Sequence, residues 1–284
     1  MIKPYKPNCD IKPGMVVPDG IRRVALTVEY NGMAFKGFQK QASAQNTVQA
    51  ALESALSNIA NETITLVCAG RTDAGVHASQ QVVHFDTSAD RPKKAWLDGV
   101  NTQLPDGVRV VGVFPVTLAF HARFGATART YRYVLSCTPS RPAILADLTS
   151  WVKYNLDVEP MRLGAEYLVG EHDFTSFRAA HCQAQQPVRT VHHARFYEQG
   201  DLLIFEIKAN AFLYHMVRNI MGTLFDVGRG VKQPEWIREL LVLKNRSLAA
   251  PTAPPQGLYF VAAEYDPVFG VPSKALGPPF LNIQ

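Results

Sequence analysis

The chain has 284 residues, of which 47% are hydrophobic and 19% are charged. That balance can bury a large core, so it excludes a largely disordered chain, and the length predicts one large or two smaller domains. A formal charge of +5, from 29 Lys and Arg against 24 Asp and Glu, permits a polyanionic partner without establishing one.

The first twenty residues and the spacing of the cysteines indicate the cellular compartment of the protein. No apolar run approaches the roughly 18 residues of a membrane span, and residues 1–20 lack the apolar stretch of a signal peptide. The four cysteines lie far apart without a CxxC pair, which favours buried thiols in a reducing compartment over zinc or disulfide sites. We therefore expect a cytoplasmic protein with a flexible N-terminal tail.

The first half of the chain alternates strand and helix patterns. Its predicted elements are a half-exposed strand over residues 22–30, a helix over 47–60 capped by Asn46, a strand over 81–85, a short helix over 92–96 and a strand over 108–114.

The second half repeats these patterns. Its predicted elements are a strand over residues 132–136, a helix over 160–170, a hairpin of strands 191–197 and 202–208, a helix over 212–228, a helix over 234–241 and a last strand over 258–265.

Strands and helices mixed in both halves, with hairpins and long crossovers, predict an α+β fold with largely antiparallel sheets, not a doubly wound nucleotide fold. The predicted organisation is a flexible tail over residues 1–20, an N-terminal α+β domain over 21–117, a C-terminal α+β domain over 118–266 and a proline-rich tail over 267–284.

Two familiar kinds of site are not expected. Gly32 and Gly37 give the spacing of a phosphate-binding loop, but no lysine follows to meet the terminal phosphates. The adjacent His192 and His193 point to opposite faces of a strand and do not easily ligate one metal. We predict no metal site.

Residues 70–78, with the sequence GRTDAGVHA, are the first candidate site. In an extended segment Arg71 and Asp73 point to the same side, so the guanidinium can hold the carboxylate ionised even when it is sheltered from water. An ionised, sheltered aspartate can serve as nucleophile or general base. A structural Arg–Asp bridge in a glycine turn is the commoner alternative, and these residues alone leave both open.

Arginines alternate with aromatic rings in the second candidate, residues 120–133. In a strand, Arg129, Tyr131 and Tyr133 share one face, which suits a nucleic-acid backbone and an unstacked base. An ordinary strand with tyrosines in the core and arginines in solvent explains the pattern equally well. In a third segment, residues 210–219, Arg218 could reach a phosphate from a mostly apolar helix, although such arginines more often only snorkel.

Together, GRTDAGVHA, FHARF at 120–124, ATARTYRY at 126–133, DFTSF at 173–177 and KANAFLYHMVRNI at 208–220 closely resemble the bacterial tRNA pseudouridine synthase A family. The resemblance runs from Arg22 to Tyr265, in order and at the family's spacing. Phe38 stands where relatives often have Trp, and Thr130 where a basic residue is common.

The resemblance implies a role for each matching residue. Asp73 matches the catalytic aspartate and Arg71 its pairing arginine. Tyr131 matches the tyrosine that stacks on the target base, while Arg218 and Leu258 match residues that line the same cleft. Arg129 is added as a substrate-binding candidate from the stripe of arginines and rings.

For the whole protein, the resemblance implies a homodimer that needs no metal or organic cofactor and isomerises uridines 38, 39 and 40 in the anticodon stem-loop of tRNA. It also implies the pseudouridine synthase fold, two α+β halves whose sheets join around a basic cleft.

Two other classes of function remain open at this point. A noncatalytic RNA-binding protein would share the arginine and aromatic strands but would not need Arg71 and Asp73 between glycines. An aspartate-dependent nucleoside hydrolase would normally need a second acid and a water, and would release free uracil.

Overall fold

In a computed structural model, the structure describes residues 5–11, 15, 17–41 and 46–281. The strands in these ranges are β1 (Arg22–Tyr30), β2 (Val67–Cys68), β3 (His77–Thr87), β4 (Val108–Val116), β5 (Ala128–Ser136), β6 (Ser150–Trp151), β7 (Gly170–Asp173), β8 (Val188–Gln199), β9 (Leu202–Ala209) and β10 (Leu258–Glu264). The α-helices are α1 (Val48–Ala60), α2 (Val158–Glu166), α3 (Met216–Gly228) and α4 (Glu235–Leu243).

The chain forms two compact units, Met1–Thr127 with Val261–Pro279, and Ala128–Phe260 with Phe280–Gln284. Residues 118–127, which the sequence assigns to the C-terminal domain, thus pack with the first unit, as do residues 261–279. The hydroxyl of Tyr265 donates to the carbonyl of Ala122 at 2.8 Å, and the N–H of Thr127 donates to the carbonyl of Glu264 at 2.8 Å. These bonds tie the two segments to each other within one unit.

In the first unit, β1 pairs antiparallel with both β3 and β4, and β2 adds to β3. The prediction that β1 is half-exposed is wrong, because Arg23 and Thr27 on its polar face are buried along with its apolar residues. A strand hydrogen-bonded on both sides can carry such residues inside only when their polar groups find partners.

Arg23 finds its partner in Asp86 of β3, and both side chains are almost fully buried. Two hydrogen bonds of 2.6 and 2.9 Å join guanidinium and carboxylate, and Tyr5 and Asn8 also donate to Asp86. Burial by itself would raise the pKa of Asp86, but the hydrogen bonds from Arg23, Tyr5 and Asn8 outweigh it and hold that pKa below its usual value. The ionised carboxylate therefore fastens the chain around residue 8 to the sheet.

Residues of both predicted tails are hydrogen-bonded to strand β3. Gln80 donates to the carbonyl of Pro272, Ser79 donates to the carbonyl of Leu276, and Val271 is buried. Of the two tails, residues 1–4, 12–14, 16 and 282–284 lie outside the described residues.

In the second unit, the strands run in the order β5-β9-β8-β7 and pair antiparallel, while β6 pairs parallel with β5. The predicted hairpin is confirmed as β8 and β9, which turn at Gly200. Helix α2 packs against α3, α4 and β8.

The starts of α1 and α3 differ from their predictions for reasons that the structure shows. The N-cap of α1 is Thr47, whose hydroxyl accepts from the N–H of Ala50, because Asn46 instead donates to the carbonyl of Ala34. Helix α3 begins at Met216 and not near residue 212, because His215 adopts a left-handed conformation with φ 60°. Strands β2, β6 and β7 were not predicted, since two to four residues are too short to show a period.

The predicted α+β class with largely antiparallel strands is confirmed in both units. Within the described ranges, no helix is both long and apolar enough to cross a membrane.

Candidate functional site

The structure places Arg71 and Asp73 in the loop of residues 69–76 that joins β2 to β3. Arg71 is exposed and Asp73 is partly buried, while Thr72 between them is buried. The N–H of Val76 donates to the carbonyl of Asp73 at 3.1 Å, which closes a turn at Asp73. Gly75 has φ +79°, a left-handed conformation that side-chain-bearing residues rarely adopt, so the glycine is what allows this turn.

Gly32 and Gly37, which do not form a phosphate-binding loop, pack against the Asp73 loop. A Cβ added to Gly32 would lie 2.0 Å from the carbonyl oxygen of Val76, so only glycine fits there. Gly37 has φ +86°, and a Cβ there would lie 3.1 Å from the carbonyl oxygen of Thr72. Backbone hydrogen bonds from Phe38 to Thr72 and from Gly75 to Gly32 close the contact. The chain after β1 thus braces the loop from outside.

A buried side-chain network holds the loop from inside. The hydroxyls of Tyr30 and Thr72 are 2.7 Å apart, and the amide of Gln81 donates to the carbonyl of Gly70 at 2.6 Å and to the hydroxyl of Tyr30 at 3.3 Å. Burial raises the pKa of Tyr30 well above its usual value, so the phenol stays neutral and keeps its proton for the network. Residues on both sides of Arg71 are therefore fixed. Sequence reasoning missed Tyr30 and Gln81, because neither lies in the motif that they support.

Cys68 is the last residue of β2, directly before the loop. Burial raises the pKa of its thiol to about 11, although the charges of Arg71 and Arg123 partly oppose this. The thiol is therefore neutral near pH 7, and two arginines lie close enough to influence it.

Tyr131, in the second unit, belongs to a cluster of aromatic rings. The rings of Phe212 and Phe260 meet it edge-on, with centroids 4.9 and 5.2 Å away. Tyr131 is 8% exposed, and Tyr133 on the same face is fully buried with its hydroxyl bonded to Ser150 and Pro254. The phenol of Tyr131 is thus held in one orientation by its neighbours.

The arginines of β5 are buried as well, so the alternative that places them in solvent is wrong. Arg129 donates to the carbonyl of Asn210 at 2.9 Å. Arg132, on the other face, forms a 2.7 Å ion pair with Glu206, which also bonds His193. Paired charges of this kind tolerate burial because hydrogen bonds replace the lost water.

Arg218 and Leu258 lie in the same unit as Tyr131. The guanidinium of Arg218 donates to the carbonyl of Ala253 at 2.8 Å, and its charge acts against the burial that raises the pKa of Tyr133. Leu258 is buried at the start of β10. The first unit thus carries Arg71 and Asp73, and the second carries the other predicted site residues.

Among the described residues, no group of three or more His, Cys, Asp or Glu side chains could hold a metal ion.

The chain is similar to known proteins over most of its length. The family model described as tRNA pseudouridine synthase matches residues 26–125 and 165–266. The chain is 51% identical over 259 residues to tRNA pseudouridine synthase A of Alcanivorax borkumensis, covering 91% of this chain and 97% of the relative. It is 49% identical over 263 residues to the protein of that name from Pseudomonas aeruginosa, covering 93% of this chain and 92% of the relative.

Likeness to the solved structure of one complex is weak. A chain of a Cbf5-Nop10-Gar1 complex gives a TM-score of 0.34 at 11% identity, over 84% of this chain and 49% of that chain. This score is below the level at which a common fold can be argued.

Tyr30→Phe should loosen the Asp73 loop. The substitution removes a hydrogen-bond partner of the buried Thr72 hydroxyl and of the Gln81 amide. The expected cost is about 1–3 kcal/mol in the free energy of unfolding. Hydrogen exchange at the amides of Gly75 and Val76 should accelerate, which mass spectrometry or NMR can measure.

Tyr259→Phe is the matched control, because it removes another buried hydroxyl, one bonded to Leu148 in the second unit. It should reduce stability comparably without faster exchange in the Asp73 loop. Unchanged protection of Gly75 and Val76 in Tyr30→Phe would show that the network does not hold the loop.

Proposed function

The chain belongs to the tRNA pseudouridine synthase family, and we propose that it isomerises uridines 38, 39 and 40 of the tRNA anticodon stem-loop with Asp73 as the catalytic residue. The observation that carries this proposal is the placement of Asp73. A partly buried carboxylate sits in a loop that Gly32 and Gly37 brace from outside and that Tyr30 and Gln81 hold from inside. A catalytic group needs such support, because a displacement of about 1 Å can cost roughly 100-fold in rate.

The reaction rearranges one nucleotide without adding or removing atoms. The bond from N1 of uracil to C1′ of ribose breaks, the base turns, and C5 joins C1′. The proton lost from C5 balances the proton gained at N1. No redox change or hydrolysis occurs, so the chemistry needs an ionised group at the ribose or the base and a means of holding the detached uracil.

Asp73 supplies the ionised group. Addition to C6, attack at C1′ and removal of the C2′ proton each require the charged carboxylate. Arg71 lies two residues earlier in the same loop and brings a positive charge to it. The role proposed for Arg71 is to keep Asp73 ionised as the site closes on RNA and water leaves.

Tyr131 supplies the surface against which the extruded base rests. A base within a helix is out of reach, so the target nucleotide must leave its stack before chemistry. The edge-on contacts of Phe212 and Phe260 hold the Tyr131 ring in a fixed orientation, as a stacking surface requires. Arg129, Arg218 and Leu258 are proposed as further contacts to the substrate.

We also propose that the enzyme acts as a homodimer in the cytoplasm and without a metal or organic cofactor. These proposals rest on the sequence resemblance to tRNA pseudouridine synthase A.

Asp73→Asn should abolish isomerisation and leave tRNA affinity nearly unchanged. The amide keeps the shape of the side chain but is neither nucleophile nor base near neutral pH. Turnover and binding are measured on one preparation with unmodified tRNA. Asp106→Asn is the control, since Asp106 is a fully exposed acid in the same unit. Substantial turnover by pure Asp73→Asn would contradict the assignment.

Tyr131→Leu should reduce binding, turnover or both by about 5- to 150-fold, while Tyr131→Phe should retain most of each. The stacking of a base on an aromatic ring is worth roughly 1–3 kcal/mol, and Phe keeps the ring face. Because Tyr131 is 8% exposed, melting temperatures and folded fractions are measured in parallel. Equal turnover per folded molecule in wild type, Phe and Leu would remove Tyr131 from the site.

A further inference from the structure

Residues 120–124, the FHARF segment between β4 and β5, present an exposed ring that the proposed chemistry leaves unused. Phe124 is 66% exposed, whereas Phe120 and Ala122 of the same segment are fully buried. Scattered apolar side chains on a surface are ordinary and need no explanation. Phe124 differs from these because its position is fixed by a series of specific contacts.

A series of three rings runs from the core to the surface and ends at Phe124. His84 in β3 is fully buried, and its ring centroid lies 4.8 Å from that of His121. The His121 ring in turn stacks on Phe124 at 4.5 Å, with the planes inclined by 30°. We call His84, His121 and Phe124 the ring ladder. Its inner end is in the sheet and its outer end is in solvent.

Hydrogen bonds from backbone N–H groups hold the histidine rings of the ladder in place. Nδ1 of His121 accepts from the N–H groups of Arg123 and Phe124, at 3.1 and 3.0 Å, and Nδ1 of His84 accepts from the N–H of Ala122 at 3.0 Å. Burial lowers the pKa of His84 to about 3 and also lowers that of His121, so both rings remain neutral acceptors near pH 7. The outer ring is therefore held in place before any ligand arrives.

The inner end of the ring ladder, His84, lies beside strand β2, which leads into the Asp73 loop. Cys68 pairs with Val83 and Val67 with His84, so the strand that leads into the Asp73 loop lies beside the residue that anchors the ladder. The charges of Arg71 and Arg123 both act on the Cys68 thiol, which is consistent with this proximity. The inner end of the ladder thus lies next to the strand that leads into the Asp73 loop.

We propose that the exposed ring of Phe124 is a stacking platform for a second, unpaired nucleobase of the tRNA, distinct from the uridine that is isomerised. This inference rests on the proposed function. The guanidinium of Arg123 lies 5.3 Å from the ring centroid, so a flat π-face and a cation occur together. An unstacked base with its adjoining phosphate has the flat π-face and the negative charge that suit this ring and cation.

The platform positions the RNA without reading its sequence. Stacking is nearly indifferent to base identity, because every base has a π-face, so the platform accepts different sequences beside the target. It would hold a neighbouring nucleotide out of its stack and so keep the target base from returning to its own.

Phe124→Leu should weaken the binding of unmodified tRNA by about 5- to 150-fold at fixed salt, with the salt dependence of binding unchanged because no charge is removed. Binding is measured by titration of fluorescently labelled tRNA. Tyr154→Leu is the matched control, because Tyr154 is 55% exposed with Arg229 over its ring but lies in the second unit. The control should bind tRNA as wild type does.

Phe124→Trp keeps a π-face and adds a reporter. It should bind tRNA at least as well as wild type, and its added fluorescence should be quenched as tRNA binds, whereas the added fluorescence of Tyr154→Trp should not. This variant tests stacking even if Phe124→Leu folds poorly.

Each outcome is decisive. Weaker binding by Leu together with quenching of Trp supports the platform. Wild-type affinity in Phe124→Leu, or no quenching in Phe124→Trp, overturns the platform and leaves the proposed function standing. Failure of the wild-type protein to bind tRNA overturns both. A change in the dimer dissociation constant with unchanged tRNA affinity would assign Phe124 to a contact between copies and overturn the platform.

Discussion

The close approach of two backbone segments, one after β1 and one after β2, is the constraint on which the proposed site depends. The carbonyl of Val76 occupies the space that any side chain at position 32 would need, and Tyr30 at the end of β1 bonds Thr72 in the loop. Strand β1 is hydrogen-bonded on both sides, so its end is a rigid support. The position of Asp73 therefore follows from the central sheet of the first unit rather than from the loop alone.

Strand β3 carries a second part of the same arrangement. Gln81 holds the carbonyl of Gly70, His84 anchors the FHARF segment, and Asp86 pairs with Arg23. Three polar residues spaced along one buried strand thus fasten the Asp73 loop, the ring ladder and the N-terminal residues near Asn8. A polar side chain is costly to bury without a hydrogen-bond partner. These hydrogen bonds and ion pairs are what allow β3 to carry polar side chains although nearly all of its residues are buried.

Local sequence patterns predicted much of this structure, and what they missed is physically understandable. The long strands, the α+β class and the segment around Asp73 are visible in periodicity and motif. Tyr30 and Thr72 are 42 residues apart, so no local pattern reveals their bond. The burial of Arg23 and Arg129 was missed for a related reason, since alternation identifies faces but not the partners that make a charged face tolerable inside. The glycine at position 32 has the spacing of a phosphate loop, but its structural role is close packing against Val76.

We propose that this chain isomerises uridine in the anticodon stem-loop of tRNA through Asp73. A chemical assay of the RNA product tests this proposal most directly. Unmodified tRNA, prefolded and carrying uridine at positions 38, 39 and 40, is incubated with the wild-type protein. Pseudouridine is then mapped at nucleotide resolution alongside a mass measurement of the product. We expect pseudouridine at those three positions, an unchanged RNA mass and no free uracil. Release of uracil, or pseudouridine only outside the anticodon stem-loop, would contradict it.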